Sequence, residues 1–157
     1  LSVYMEDALG NDRQYGRSQL EANDYPTTLT VISPDADATQ PTLTSLAFAP
    51  SAVRANGLDS VAVILGAADT GTGVQDLTIT FESPTGVHRV QCTATALVSG
   101  TRYSGTMRCR LAIRSGSETG AWRVVSVSVR DAANNFGTFL RAELEAAGYP
   151  VGLDVTG

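Results

Sequence analysis

The sequence predicts an all-β protein folded as a two-sheet antiparallel β-sandwich of about seven strands, with one short helical turn near its C-terminus. Stretches rich in Val, Thr and Ser recur along the whole chain, and β-branched residues favour strands. Turn residues separate these stretches at intervals of about eight to twelve residues, which is typical of sandwiches. The single tryptophan, Trp122, begins a Val-rich stretch and is expected to face the core. A barrel is the alternative architecture.

Length and composition restrict the classes of function. The 157 residues suffice for one domain with a substantial core. The net charge of −5 argues against nucleic acid as a partner, because phosphate binding needs a basic surplus. No apolar run approaches the roughly 18 residues of a membrane span. Because the sequence begins at Leu1 without methionine or leader, we expect it to be a segment of a longer protein.

The sequence contains no evident catalytic constellation, and we expect a non-enzymatic protein. His88 is the only histidine, so no Ser-His-Asp or Cys-His set can form without it, and it follows a predicted turn. All 11 basic residues are Arg, which removes lysine-based Schiff-base chemistry. The 16 acidic residues lie mostly on predicted turns, which does not favour a glycosidase-type carboxylate pair.

The chain contains an internal repeat. Residues 1–33 align without a gap with residues 125–157, at a constant offset of 124 positions. The identical positions, numbered in the first copy, are Ser2, Val3, Asp7, Ala8, Asn11, Arg17, Leu20, Glu21, Ala22, Tyr25, Pro26, Leu29 and Val31. A period of this length suits a whole domain rather than a solenoid unit, so it predicts a tandem array of domains.

The repeat divides the chain into three parts. We interpret 1–33 as the C-terminal strands of a preceding repeat, 34–41 as a Pro- and Asp-rich linker, and 42–157 as one complete repeat. Each copy of the repeated segment is predicted to form a strand, a turn, a second short strand and a helical turn. Two strands and a helical turn are marginal alone. Residues 1–33 are therefore expected to be loose, to pack on the edge of the full repeat, or to pair with a neighbouring molecule by strand exchange.

Apolar runs, apolar alternation and turn residues predict the individual strands of the complete repeat. Thr42 to Pro50 is predicted to be an edge strand closed by proline, and Asp59 to Asp69 a buried central strand. Leu77 to Phe81 alternates between apolar and polar residues, as a half-buried strand does. In the Trp122 strand the apolar positions change from even to odd numbers, which predicts a bulge near Val124 and Val125.

The two cysteines predict one disulfide and an oxidising, extracellular location. Val87 to Leu97 and Arg102 to Ile113 are predicted to form one hairpin, in which Cys92 would lie opposite Cys109. Both cysteines belong to the apolar phase of their strands, so we expect a semi-buried, structural bridge. Two reduced core cysteines are the alternative.

Four short segments occur in a characteristic order: Ala68–Val74 (ADTGTGV), Ser83–Gly86 (SPTG), Gly120–Trp122 (GAW) and Val129–Asn135 (VRDAANN). They resemble the D-x-x-S-G-V, S-P-x-G, G-x-W and D-x-A-G-N motifs of bacterial immunoglobulin-like domains, which occur in tandem in secreted and surface proteins. The resemblance covers residues 41–157 and, in part, 1–33. Two departures are Thr72 in place of the usual Ser, and Asn134 in place of the usual Gly that Gly10 keeps in the first copy.

The resemblance implies an immunoglobulin-like sandwich with a non-catalytic role. Such a repeat would serve as a spacer, stalk or adhesion module of a larger secreted or cell-surface protein, with neighbouring repeats of the same chain as partners. A glycan or protein ligand would bind to its loops or to a charged face. The alternative is a carbohydrate-binding or accessory module appended to a secreted hydrolase, which would need exposed aromatic side chains in a row.

Calcium is the one cofactor that the sequence suggests. In an immunoglobulin-like topology the loops after two strands emerge at the same end of the sandwich, and their oxygen ligands would come from Asp69, Asp76, Asp131 and Asn135. Asp35 and Asp37 of the linker would act similarly between repeats. The alternative is that Asp69 and Asp131 only cap their own turns through Asx hydrogen bonds.

A second candidate surface is basic. The outward phase of the predicted hairpin contains Arg89, Arg108, Arg110 and Arg114, on a protein that is otherwise acidic. This face would suit an anionic glycan or the acidic surface of a partner protein. A solvated sheet face without a ligand is the alternative.

Overall fold

The computed structural model describes residues 1–30 and 36–157, and its contacts divide the chain into two compact units, 1–35 and 36–157. The described residues contain twelve strands and two short helices, which confirms the all-β class. The helices, of five and six residues, are far too short to cross a membrane. Asp35, a suggested calcium ligand, lies outside the described residues.

The smaller unit is a hairpin followed by one helical turn. Strand β1 (Ser2–Glu6) pairs antiparallel with β2 (Asp12–Gly16), and helix α1 (Arg17–Glu21) follows directly. The Gln19 side chain accepts the backbone N–H of Gly16 at 2.9 Å, which satisfies a donor at the helix start. Among residues 1–30, Leu20 is the one buried residue.

The larger unit contains ten strands and one helix. In chain order they are β3 (Thr42–Ala49), β4 (Ala52–Arg54), β5 (Ser60–Ala68), β6 (Val74–Glu82), β7 (Arg89–Ala94), β8 (Leu97–Gly100), β9 (Ser104–Ala112), β10 (Gly120–Asp131), β11 (Phe136–Leu140), α2 (Arg141–Ala146) and β12 (Gly152–Thr156). One sheet has the order β3-β5-β9-β8, and the other has the order β4-β12-β10-β6-β7 with β11 also beside β10. The unit is thus β-sandwich-like. It exceeds the expected seven strands because short segments, such as β4 and β8, add edges to both sheets.

The hydrophobic core consists of the inward side chains of both sheets. Along β6, Leu77, Ile79 and Phe81 are fully buried and alternate with half-exposed polar residues, which is the predicted pattern. Trp122 is buried as predicted, and its indole Nε1 donates a hydrogen bond to the Glu118 backbone oxygen at 2.8 Å. A buried indole N–H needs such an acceptor, and the loop before β10 provides it.

The predicted bulge in the Trp122 strand is confirmed. The pairing of β10 with β6 shifts register between Val124 and Ser126, so Val125 is the inserted residue. Val124 and Val127 are both buried, although one has an even number and the other an odd number. One extra residue therefore keeps both halves of β10 facing the core.

The predicted hairpin of Val87–Leu97 with Arg102–Ile113 is wrong. Strand β7 pairs with β6 in one sheet, whereas β9 pairs with β5 and β8 in the other. The turn that follows Gly100 instead joins β9 to β8, a strand of only four residues. The hairpin is therefore shorter than predicted and does not include β7. The disulfide itself is confirmed: Cys92 and Cys109 are bonded, with Cys92 buried and Cys109 half-buried. It joins the two sheets rather than two strands of one sheet.

The smaller unit and the end of the larger unit share the same local architecture at the 124-residue offset. Every pair between β1 and β2 has its counterpart between β10 and β11: Ser2 pairs with Gly16 as Ser126 pairs with Leu140. The helix that follows starts at the equivalent residue. One position differs sharply. Gly137 packs so closely against the Pro41 carbonyl that no Cβ fits, and its counterpart is Arg13.

We expect removal of the disulfide to destabilise the larger unit. Cys92→Ala with Cys109→Ala removes the cross-link between two strands of different sheets, whose cysteines are 17 residues apart in the sequence. Loop entropy predicts a loss of about 3 kcal/mol in the free energy of unfolding. Urea denaturation followed by Trp122 fluorescence measures it. Reductant added to the wild-type protein should reproduce the shift, and an unchanged midpoint in both experiments would refute the structural role.

Candidate functional site

Three loop segments of the larger unit meet beside the end of β5. They are the arm that precedes β3, the turn from β5 to β6, and the turn from β10 to β11. Each contributes one aspartate, and carboxylate oxygens of Asp37, Asp69 and Asp131 lie within 4.8 Å of one another. We refer to these three residues as the carboxylate cluster.

Asp69 closes the turn in which it lies. It is buried, and its Oδ2 accepts the backbone N–H groups of Gly71 at 3.1 Å and Gly73 at 2.7 Å. Its other oxygen, Oδ1, accepts one long hydrogen bond of 3.4 Å from the Thr39 hydroxyl. Oδ1 is therefore the less committed oxygen and retains capacity for another ligand.

Asp131 caps its turn by the same local chemistry. It is fully buried, and its carboxylate accepts the backbone N–H and the side-chain Nδ2 of Asn135, both at 2.8 Å. In the smaller unit Asp7 accepts the same two groups of Asn11 at 3.0 and 2.8 Å, although Asp7 is exposed. The pattern is therefore a property of the turn sequence, because it forms with or without other carboxylates nearby.

Asp37 behaves differently, because its hydrogen bonds reach across the chain. Its Oδ2 accepts the backbone N–H of Thr72 at 2.6 Å and the Thr72 hydroxyl at 2.9 Å. Its backbone oxygen accepts Nδ2 of Asn135 at 3.1 Å. Any Cβ at Gly71 would collide with this carboxylate, so the turn after β5 needs glycine there. Asp37 thereby attaches the arm before β3 to two distant turns.

Hydrogen bonds hold Asp37 in its charged form. The Thr39 hydroxyl and the backbone N–H groups of Thr72 and Thr39 hold the pKa of this carboxyl well below its usual range. Donors directed at a carboxylate stabilise the anion relative to the acid. The cluster therefore presents a negative charge at its most accessible member.

The cluster brings carboxylates together without an arginine paired to them, within residues 36–157. Within residues 36–157, the arginines that form ion pairs bind other acidic groups, and none of them pairs with the cluster. Asp69 and Asp131 are buried, where water screens charge poorly. Carboxylate oxygens that no arginine of the described residues pairs with suit a hard divalent cation such as Ca²⁺, with water completing its shell.

The structure brings together three of the four calcium ligands predicted from the sequence. Asp69, Asp131 and Asn135 lie together, with Asn135 acting as a hydrogen-bond donor to the cluster. Asp76 lies apart, since its carboxylate is paired with the Arg130 guanidinium, whose Nε donates at 2.9 Å. Asp37 completes the group, as a linker residue within this unit.

The four arginines of the candidate basic face are all exposed, but they do not share one sheet. Arg89 lies in β7, whereas Arg108 and Arg110 lie in β9 of the other sheet. The predicted common face is therefore wrong, because it depended on pairing β7 with β9. Arg89 also forms an ion pair with Glu82 at 3.2 Å.

A cleft of about 560 Å³ brings two of these arginines near each other. Its lining includes Arg89 and Arg114, with His88, Gln91 and Trp122. Nearby, Glu118 accepts the Thr85 hydroxyl at 2.7 Å and the Thr85 backbone N–H at 3.1 Å, and these bonds lower the pKa of its carboxyl. The lining of the cleft itself is basic and polar, with the buried Leu111 and Trp122 among its residues.

No protein-family model matches the chain, and no curated protein matches it. The resemblance to immunoglobulin-like domains stays a prediction that depends on the four sequence segments.

We expect Asp37 to make the stability of the larger unit depend on pH in acid. Its pKa is lower in the folded state, so its stabilising effect is present above the unfolded pKa of about 3.9. That effect is lost as the pH falls through the folded pKa. Asp37→Asn should therefore flatten the fall of the urea midpoint below about pH 4. Asp154→Asn, an exposed aspartate of β12, is the control. Equal pH slopes in wild type and Asp37→Asn would contradict this.

Proposed function

We propose that this chain is part of a tandem array of immunoglobulin-like repeats and serves as a non-catalytic spacer or adhesion module of a larger extracellular protein. The supporting observation is the repeated local structure at the 124-residue offset. The strand register, the Asp7–Asn11 and Asp131–Asn135 turns and the helix starts all coincide. Duplicated structure of this kind is what a tandem array contains at each module end.

The attachment of Asp37 supports the spacer role. An array keeps its modules at a defined distance only if the linkers between them have limited conformational freedom. Asp37 and Asn135 hold the arm before β3 against the larger unit by hydrogen bonds that span 35 and 98 residues of sequence. These hydrogen bonds therefore hold the linker against the larger unit from Asp37 onward.

The disulfide supports the extracellular location. Cys92 and Cys109 are the only cysteines of the chain, and they are bonded to each other. Stable structural disulfides are typical of oxidising compartments. The bond also holds the two sheets together, which is useful to a module under tension.

The burial of Trp122 weighs against the carbohydrate-binding alternative. A sugar-binding platform needs exposed aromatic faces in a row, and Trp122 cannot supply one because it is buried and its N–H is bonded to the chain. The exposed Tyr4, Tyr25 and Tyr103 would have to form such a platform instead. For an adhesive role, the cleft beside Arg89 and Arg114 is the surface with the charge to hold an acidic group.

The array proposal makes a direct prediction about a longer chain. If Gly157 is followed by a second copy of residues 34–157, the 124-residue period continues. We expect two independently folded modules with the melting temperature of residues 36–157 alone. Small-angle scattering should show a maximum dimension longer by about one module. A compact or aggregated two-module chain would refute the spacer role, and residues 36–157 alone provide the single-module reference.

Calcium binding is a second element of the proposal, specific to the carboxylate cluster. Two buried carboxylates and a third charged one, with no pairing arginine in the part of the chain that the structure describes, form a set that a divalent cation would neutralise. A cation there would cross-link the arm before β3 to both turns. The array would then be stiffer in calcium-rich extracellular fluid.

We expect millimolar calcium to raise the melting temperature of the chain by several degrees over excess chelator, with the disulfide intact in both. A ligand at 100 times its Kd stabilises the folded state by about 2.7 kcal/mol. Asp37→Asn should abolish the shift. Asp7→Asn, which removes the same turn carboxylate outside the cluster, should retain it. Identical melting with calcium and with chelator would leave the cluster as three turn-holding aspartates.

A further inference from the structure

The smaller unit exposes an apolar surface that its own residues do not cover. Leu1, Val3 and Met5 alternate along β1 with relative exposures of 74%, 41% and 57%. With Tyr15 and Leu20 they line a concavity of about 530 Å³. We refer to this surface as the hairpin face. Apolar residues of this size, gathered on one side of a strand, are typical of a surface that binds another protein segment.

The larger unit shows what covers the same face in its second copy. The counterparts of Val3, Met5 and Leu20 are Val127, Val129 and Leu144, which are buried in the sandwich core. The two faces share strand register and helix position. They differ in that one has a sandwich against it and the other, within residues 1–30, has none.

The backbone edge of β1 is equally incomplete. Strand β10 pairs with β11 on one edge and with β6 on the other, where Val127 lies opposite Ile79 and Val129 opposite Leu77. Strand β1 pairs with β2 only, among the described residues. Its free edge therefore presents unpaired N–H and C=O groups beside an apolar face, which is the arrangement that favours strand addition.

We infer that the hairpin face binds an extended antiparallel strand of the β6 type, contributed by the preceding repeat to which residues 1–33 belong. This inference rests on the proposed tandem array and specifies how one module is completed. In this register Val3 lies opposite the residue equivalent to Ile79, and Met5 opposite the one equivalent to Leu77. Main-chain hydrogen bonds supply affinity, and the two apolar positions supply specificity.

The alternative occupants fit less well. In a second copy of this chain β6 already lies between β10 and β7, so its edge is not available without opening the sandwich. An anionic membrane is disfavoured by charge, because residues 1–30 contain five acidic and two basic side chains, a net of −3. The β6-type strand of the preceding repeat meets neither obstacle, because in that repeat β1 is the counterpart of β10, the strand that β6 pairs with.

The test uses the whole chain and a synthetic peptide with the β6 sequence, VQDLTITFE. We expect saturable amide shifts in the ¹⁵N spectrum that are confined to the smaller unit and largest in Ser2–Glu6. A control peptide with serine at the positions of Leu77 and Ile79 should bind at least about tenfold more weakly, as expected for two lost apolar contacts. Val3→Asp in the protein should weaken binding to a similar extent. Tyr4→Asp, on the opposite face of β1, should not.

Several results would overturn the inference. They are no shifts at millimolar peptide, equal binding of both peptides, or equal effects of Val3→Asp and Tyr4→Asp. As a control for folding, nuclear Overhauser contacts between β1 and β2 in the Val3→Asp variant verify that its hairpin persists. Concentration-dependent dimers that Val3→Asp abolishes would identify a second copy as the occupant and also overturn it. The two-module scattering experiment does not depend on the peptide, so a failure here leaves the array proposal separately testable.

Discussion

The structure of the larger unit depends on the continuous pairing of β10. This strand lies against β6 along one edge, while β12 and then β11 share its other edge. It contributes the buried Trp122 at one end and the buried Asp131 at the other. The bulge at Val125 lets one strand serve both halves of the core, because it corrects the phase of the inward residues. The β10–β11 turn then places Asp131 beside the turn after β5.

The carboxylate cluster follows from that placement rather than from any dense ligand motif. Asp69 and Asp131 each satisfy a local turn, and similar turns are common in proteins that bind no metal. Their meeting within 4.8 Å results from the pairing of β6 with β10, and Asp37 adds a third charge from outside both turns. Chemistry that is local in each segment thus becomes a shared site only through the sheet.

Local patterns were sufficient to predict much of the fold. A continuous apolar run predicted β5, alternation predicted β6, the phase change predicted the bulge, and the 124-residue repeat predicted matching hairpins. The pairing of β7 was mispredicted because alternation specifies which face a strand buries but not which neighbour it pairs with. The same gap explains the arginines, whose common phase was real but lay on two sheets. Asp76 could not be separated from Asp69 by sequence, because its partner Arg130 is 54 residues away.

The contrast between Gly137 and Arg13 has a consequence for folding fidelity. In an array of similar modules, each nascent sandwich is exposed to the terminal hairpins of its neighbours as well as its own. The Pro41 carbonyl leaves no room for a side chain at position 137, so a hairpin with arginine there is rejected sterically from this sandwich. A single backbone contact can thereby distinguish the correct hairpin from an adjacent one of similar sequence, and divergence between repeats at this position would suppress misassembly along the array.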